Sequence, residues 1–166
     1  MTIAIRDERP GDEGGIHDLT VAAFAPIPYS DGSETRIIAG LRADGDLAVS
    51  QVAVEGDEIL GHVAFSPVVV AGCGTGWYGL GPISVRPSRQ RQGIGSRLVE
   101  EGLSVLRARG ATGCVLVGDP DYYRRFGFRS DGSLRYRDIP LEYVQFLSFG
   151  AERPAGALTF SPAFER

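Results

Sequence analysis

Residues 85–98 read Val85-Arg86-Pro87-Ser88-Arg89-Gln90-Arg91-Gln92-Gly93-Ile94-Gly95-Ser96-Arg97-Leu98, and this stretch decides the fold. It predicts the end of a strand, a basic loop with two glycines one residue apart, and the start of a helix. Glycine has no Cβ, so the backbone there can adopt unusual dihedral angles and approach a ligand closely. The first N–H groups of a helix lack partners within the helix, and together with the helix dipole they attract phosphate. The stretch therefore predicts a phosphate-binding loop.

The segments on either side of this loop complete a β–loop–α–β unit. Residues 77–86 predict a strand, in which Pro82 removes a ladder donor and indicates a bulge or a splayed edge. A helix follows from about Ser96 to Arg109. The apolar run Cys114-Val115-Leu116-Val117 is typical of a buried central strand. Because a crossover helix joins the two strands, we expect them to be parallel.

The rest of the chain predicts more helices and strands around this unit. Two helices are expected before it, a hairpin turn at Gly56-Asp57, and a short helix starting at Asp119-Pro120. Strand-like runs occur at residues 3–5, 47–55, 58–65, 142–149 and 157–161. The sequence has no internal repeat or linker, so residues 1–166 predict a single α+β domain with a mixed sheet.

Composition narrows the class of protein. With 166 residues, 43% apolar and 23% charged, the chain is expected to be one soluble globular domain. A net charge of −4 does not favour nucleic acid or an anionic membrane. No apolar run approaches the ~20 residues of a membrane span, and the first residues do not resemble a signal peptide, so a cytoplasmic location is expected. Two cysteines and two distant histidines predict neither a disulfide framework nor a metal site.

Three kinds of phosphate ligand compete for the loop. A dinucleotide fingerprint needs G-x-G-x-x-G, but Leu98 stands where the third glycine should be. A Walker loop needs G-x-x-x-x-G-K-[ST], and the chain has no such stretch. The third candidate is the pyrophosphate of coenzyme A.

The motifs resemble those of one family. Gln90-Arg91-Gln92-Gly93-Ile94-Gly95 matches the Q/R-x-x-G-x-G/A loop of the GNAT superfamily of N-acetyltransferases, and residues 78–85 resemble its central strand. Tyr122-Tyr123-Arg124-Arg125-Phe126-Gly127-Phe128 resembles a second family motif, in which a tyrosine precedes a Gly-Phe pair by four residues. Asp119-Pro120 and the stretch from Gly61 to Pro67 are similar to the bacterial YhbS-like branch.

The resemblance implies a fold and a reaction. The fold would be GNAT-like: a central mixed sheet of about seven strands, helices on both faces, and a parallel fourth and fifth strand that splay apart. The reaction would be transfer of an acetyl group from acetyl-CoA, without a metal, to a primary amine of a small molecule or protein. The amine would attack directly in a ternary complex. Dimers are common in the family, so a homodimer is also an expectation.

The resemblance also implies residue roles. Tyr123 would be the general acid for the leaving thiolate, and the backbone N–H of Ile83 would polarise the thioester carbonyl as an oxyanion donor. Arg86, Arg89 and Arg91 could add charge-assisted contacts to phosphates. The acetyl-CoA-binding residues would be Ile83, Ser84, Val85, Gln90, Arg91, Gln92, Gly93, Ile94, Gly95, Ser96, Asp119, Tyr122 and Tyr123.

Several alternatives stay open at the level of sequence. Glu34 and His62 are candidate general bases, but a charge at a helix start and a satisfied strand residue are the simpler interpretations. The chain could be a non-catalytic acyl-CoA-binding module, or it could bind another phosphate ligand such as a nucleotide. The sequence does not indicate the acceptor amine or the preferred acyl chain.

Overall fold

The computed structural model describes residues 2–165. Helices form at α1 (Glu13–Phe24), α2 (Glu34–Asp44), α3 (Ile94–Ala108) and α4 (Pro120–Tyr123). The strands are β1 (Ala4–Asp7), β2 (Val49–Glu55), β3 (Glu58–Pro67), β4 (Val69–Val70), β5 (Trp77–Val85), β6 (Gly113–Val117), β7 (Leu134–Arg135), β8 (Val144–Ser148) and β9 (Gly156–Thr159). None of these helices has the length and apolar character that a membrane crossing requires.

The strands form two sheets. The central sheet has six strands in the order β1-β2-β3-β5-β6-β8, and a small second sheet has the order β4-β9-β7. All central neighbours are antiparallel except β5 and β6, which are parallel as predicted. The predicted α+β fold with a mixed sheet is confirmed. The strand expected at residues 157–161 forms as β9 in the second sheet, so the central sheet has one strand fewer than the sequence suggested.

The parallel pair β5 and β6 separates partway along its length. Pairing covers only Trp77 to Gly79 on β5, opposite Gly113 to Val115 on β6. Beyond that point β5 continues to pair with β3, across a register shift near Pro82 that confirms the predicted bulge. The end of β6 pairs only with β8. The two strands therefore leave a wedge-shaped gap beside residues 80–85.

Helices cover both faces of the central sheet. Leu98, Val99 and Leu106 of α3 are buried in one hydrophobic cluster with Val63 and Phe65 of β3. A fully buried leucine contributes about 1.5–3 kcal/mol to stability, so this face holds α3 firmly against the sheet. The opposite face carries a second cluster from α1, α2, β2 and the start of β3: Ile16, Leu19, Ile38, Val52 and Ile59.

Candidate active site

A cleft of about 570 Å³ lies where β5 and β6 separate. Four elements contribute to it: the end of β5, the loop after it, the first turn of α3, and the segment around α4. The lining residues are Ile83, Ser84, Val85, Arg89, Gln90, Arg91, Gly93, Ile94, Gly95, Ser96, Tyr122 and Arg125.

The loop presents a row of backbone donors to this cleft. Arg91 and Gly93 take positive φ angles of 64° and 82°, which turn the chain into α3. The backbone N–H groups of residues 91–96 have no acceptor within residues 2–165. Gly61 lets the first turn of α3 approach β3, because a Cβ there would lie 2.9 Å from a Leu98 methyl. Unpaired donors at a helix start, fixed in place, form an anion-binding surface.

The edge of β5 adds a second set of unpaired backbone groups. Arg86 N–H donates to the Leu60 carbonyl on β3 at 2.8 Å. Because backbone groups alternate in direction along a strand, those of Ser84 also face β3, whereas those of Ile83 and Val85 face the gap. No strand pairs with β5 on that side beyond Gly79 in the described part of the chain. An extended ligand with amide groups could therefore pair there.

The three loop arginines differ in their freedom to bind phosphate. The Arg86 Nε lies 3.1 Å from a Glu58 carboxylate oxygen. Arg89 donates twice to Glu55, at 3.1 and 3.3 Å, and these bonds lower the pKa of Glu55. Arg91 makes no hydrogen bond or ion pair with any residue between 2 and 165. Arg91 is therefore the side chain of the three that is available for a phosphate contact.

The segment around α4 closes the cleft with aromatic rings. The Arg125 guanidinium lies 4.4 Å from the centre of the Tyr122 ring, and its Nε donates to the Tyr122 carbonyl at 2.9 Å. The Tyr122 and Tyr123 rings meet edge to face, with centroids 4.9 Å apart. Sequence reasoning had not assigned Arg125 to the site. Arg125 lies two residues after the end of α4, and its sequence gives no local signal, because only folding brings it to the loop.

Tyr123 lies behind Tyr122 and packs against the core. Its ring contacts the α3-side cluster and meets Phe128 edge to face at 6.1 Å. Gly118 makes room for it, since a Cβ there would lie 2.8 Å from the Tyr123 ring. Burial raises the pKa of Tyr123 above its ordinary value of 10. The phenol therefore stays protonated at neutral pH and can donate a hydrogen bond.

Most of the predicted binding residues line the cleft, and three do not. Gln92 is exposed, and its amide oxygen accepts a hydrogen bond from Arg89 Nε at 3.1 Å. Asp119 caps α4, because its carboxylate accepts from the Asp121 N–H at 2.9 Å. Tyr123 is the third, packed as described. The cleft thus brings together Ile83, Ser84, Val85, Gln90, Arg91, Gly93, Ile94, Gly95, Ser96 and Tyr122 from the predicted set.

The two candidate bases lie in different environments. Glu34, at the start of α2, accepts a hydrogen bond from Ser30 Oγ at 2.7 Å. His62 is fully buried on β3, and its Nε2 lies 2.9 Å from Ser50 Oγ. Desolvation is the main reason that the pKa of His62 falls to about 4, so the imidazole is neutral at physiological pH. Only one ring nitrogen of His62 has a partner, since Nδ1 is buried without one.

The described residues contain no group of three or more His, Cys, Asp or Glu side chains placed to hold a metal ion. The cleft offers a ligand backbone donors, the Arg91 side chain and the Tyr122 ring, beside the polar side chains of Gln90, Ser96 and Arg125. Such a surface suits a phosphate-bearing ligand with an extended arm.

Comparisons with known proteins indicate the family to which the chain belongs. The model of the "Acetyltransferase (GNAT) family" matches residues 15–128. An uncharacterised N-acetyltransferase of Escherichia coli K12, YhbS, is 38% identical over 125 residues, covering 75% of this chain and 72% of YhbS. The crystal structure of E. coli YhbS in complex with CoA superposes with a TM-score of 0.89 and 32% identity, covering 99% of this chain and 92% of that one.

A second solved structure is also similar along its whole length. It is a GNAT family acetyltransferase from Brucella melitensis in complex with acetyl-CoA, with a TM-score of 0.88 and 48% identity. The match covers 98% of both chains. A family model that spans most of the chain, together with relatives at this identity, establishes the family. The chain belongs to the GNAT family of acetyltransferases.

Proposed function

We propose that this protein transfers an acetyl group from acetyl-CoA to a primary amine by direct attack in a ternary complex. One observation carries the proposal: the cleft places the unpaired N–H groups of residues 91–96 next to the unpaired edge of β5. These two surfaces match the two halves of coenzyme A, a charged pyrophosphate and an extended pantetheine arm with amide groups.

The loop supports binding of the pyrophosphate. Backbone N–H groups at the start of α3 would donate to phosphate oxygens, and the helix dipole favours the negative charge. Arg91, which has no protein partner in the described chain, would add a charge-assisted contact. The solved relatives from B. melitensis and E. coli were crystallised with acetyl-CoA and CoA, which supports the same ligand here.

The edge of β5 supports placement of the thioester. The pantetheine amides would pair with the backbone of Ile83 and Val85 as an added strand. The thioester carbonyl would then lie near the Ile83 N–H, which we propose as the oxyanion donor. One such donor typically contributes about 10²–10³ in rate, because it stabilises charge that develops only during the reaction.

We propose Tyr123 as the acid that assists departure of the CoA thiolate. Its raised pKa keeps the phenol protonated at neutral pH. A thiol has an ordinary pKa of about 8.5, so full transfer of the phenolic proton to the thiolate is uphill. We therefore expect Tyr123 to act mainly by donating a hydrogen bond to the sulfur as charge builds on it.

Two measurements test the proposal. Isothermal titration with acetyl-CoA, CoA, ATP and NAD should show binding of the first two and none of the last two. Release of free thiol from acetyl-CoA should then follow addition of an aliphatic primary amine from a broad panel. Tight CoA binding with no thiol release for any amine would favour the non-catalytic acyl-CoA-binding alternative.

A further inference from the structure

A second arginine without an acidic partner lines the cleft, and it comes from outside the phosphate-binding loop. Arg125 lies on the 3-10 turn that follows α4, and its residue is exposed. Within residues 2–165 its guanidinium makes two interactions, and both are with Tyr122. No carboxylate in this part of the chain pairs with it, whereas the neighbouring Arg124 lies 3.8 Å from Asp121. The positive charge of Arg125 is therefore not neutralised at the cleft.

The two interactions with Tyr122 hold the guanidinium and leave one edge of it open. The group lies over the Tyr122 ring, 4.4 Å from its centre, and the Nε–H is used by the Tyr122 carbonyl at 2.9 Å. The two Nη groups have no partner among the described residues. They carry the parallel N–H bonds with which arginine binds a phosphate at two points. Because the guanidinium is already held, it loses less side-chain freedom when a ligand arrives.

Tyr122 is itself fixed between the two sides of the cleft. Its ring meets the rings of Tyr123 and Phe126 edge to face, with centroids 4.9 and 5.6 Å apart. Its hydroxyl lies close to the first turn of α3, since a Cβ at Gly95 would be 3.2 Å from it. Arg125 therefore lies within the length of one tyrosine side chain from the loop that we propose as the pyrophosphate site. One ligand can reach both places.

The charges of coenzyme A suggest which group Arg125 meets. The ligand carries two anionic groups, the pyrophosphate and the 3′-phosphate of its ribose. The pyrophosphate already has the unpaired N–H groups of residues 91–96 and the free Arg91 side chain. The adenosine end, with its 3′-phosphate, remains near solvent when the pantetheine arm enters the gap beside β5. An exposed arginine on a different element suits that exposed phosphate.

We propose that Arg125 binds the 3′-phosphate of coenzyme A, and that Tyr122 is the positioning residue that holds its guanidinium. The proposal rests on the proposed acetyl-CoA binding and deepens it, because it specifies an acyl donor that carries a ribose 3′-phosphate. A donor that lacks this group, such as acetyl-dephospho-CoA, binds less tightly. Since the contact is exposed, salt weakens it.

Calorimetric titration with CoA and with dephospho-CoA tests the contact directly. In the wild type, the Kd of CoA should be about tenfold below that of dephospho-CoA, as for a charge-assisted contact to phosphate. In Arg125→Gln the two Kd values should be nearly equal, because the binding of CoA weakens and that of dephospho-CoA does not. Each ratio is measured on one preparation, so a small loss of folded protein does not alter it.

Three further variants separate this role from a general loss of affinity. Arg124→Gln is the matched control, since Arg124 is an exposed neighbour outside the cleft lining, and it should keep the tenfold ratio. Arg125→Lys keeps the charge without the planar fork and should give an intermediate ratio. Tyr122→Leu removes the ring beneath the guanidinium and should lower the ratio, whereas Tyr122→Phe keeps the ring and should preserve it.

The outcomes distinguish this proposal from the one on which it rests. Equal binding of CoA and dephospho-CoA by the wild type would overturn it and leave acetyl transfer standing. An Arg125→Gln protein that binds both ligands more weakly by the same factor would also overturn it, because Arg125 would then contact the pyrophosphate. A tenfold ratio without thiol release for any amine would support the role of Arg125 while acetyl transfer fails. No binding of either ligand would overturn both proposals.

Discussion

The buried His62 should make the free energy of unfolding fall steeply as the pH is lowered. His62→Gln should remove the part of this fall that comes from His62. The imidazole is fully buried, and its folded-state pKa of about 4 lies below the ordinary value of 6.5. Gln is uncharged and its amide can still donate to Ser50. The substitution therefore removes the titratable imidazole and keeps a hydrogen-bond donor to Ser50 Oγ.

The sign and size follow from the difference in proton binding. Between pH 6.5 and about 4 the unfolded chain protonates His62 and the folded chain does not, so acid favours unfolding in this window. At 1.36 kcal/mol per pH unit, the wild type should lose about 3 kcal/mol from this residue between pH 7 and pH 4. Glu8, whose pKa is lowered, adds a loss of the same sign at lower pH.

Urea unfolding at a series of pH values measures the effect. Trp77 is the only tryptophan of the chain and is buried, so its fluorescence reports unfolding directly. His62→Gln should lose about 3 kcal/mol less than the wild type between pH 7 and pH 4. His17→Gln, at an exposed histidine, should follow the wild-type curve. Identical acid slopes for the wild type and His62→Gln would refute this reasoning.

Three further substitutions probe the cleft. Tyr123→Phe should lower kcat about tenfold or more with little change in the Kd of acetyl-CoA, measured by stopped-flow and titration. Arg91→Ala should raise the Kd of acetyl-CoA about tenfold. Arg89→Ala should raise it less, because Glu55 already binds the Arg89 guanidinium. Equal effects of the two substitutions would argue against a phosphate contact from Arg91. Gly95→Val should weaken CoA binding by at least about tenfold, because even a Cβ at this position would lie 3.2 Å from the Tyr122 hydroxyl. An unchanged Kd by calorimetry would contradict the placement of CoA beside Gly95.

The parts of the fold that sequence predicted well are encoded by local signals. The turn into α3 depends on Gly93 and its positive φ, and a glycine before an amphipathic run is visible in any window of the sequence. The bulge in β5 follows from Pro82, which has no N–H. The parallel order of β5 and β6 follows from the crossover helix between them.

The parts that sequence did not predict depend on pairing between distant segments. The hydrogen bonds that join Glu8, Ser50 and His62 link residues far apart in sequence, and a shift of one residue in the register of β2 or β3 would turn Ser50 or His62 to the opposite face. The ion pairs of Arg86 with Glu58 and of Arg89 with Glu55 likewise join separate elements. They explain why, among residues 2–165, Arg91 alone of the three loop arginines has no side-chain partner. The placement of β9 in the second sheet was not predicted either, because its partners β4 and β7 are set by tertiary packing and not by local sequence.

A crystal structure of this protein with acetyl-CoA tests the central claim most directly. The pyrophosphate should lie on the backbone N–H groups of residues 91–96, and the pantetheine arm should pair with Ile83 and Val85 in the gap beside β6. The thioester carbonyl should lie within hydrogen-bond distance of the Ile83 N–H. A pyrophosphate bound elsewhere, or an arm that leaves the β5 edge unpaired, would contradict the account.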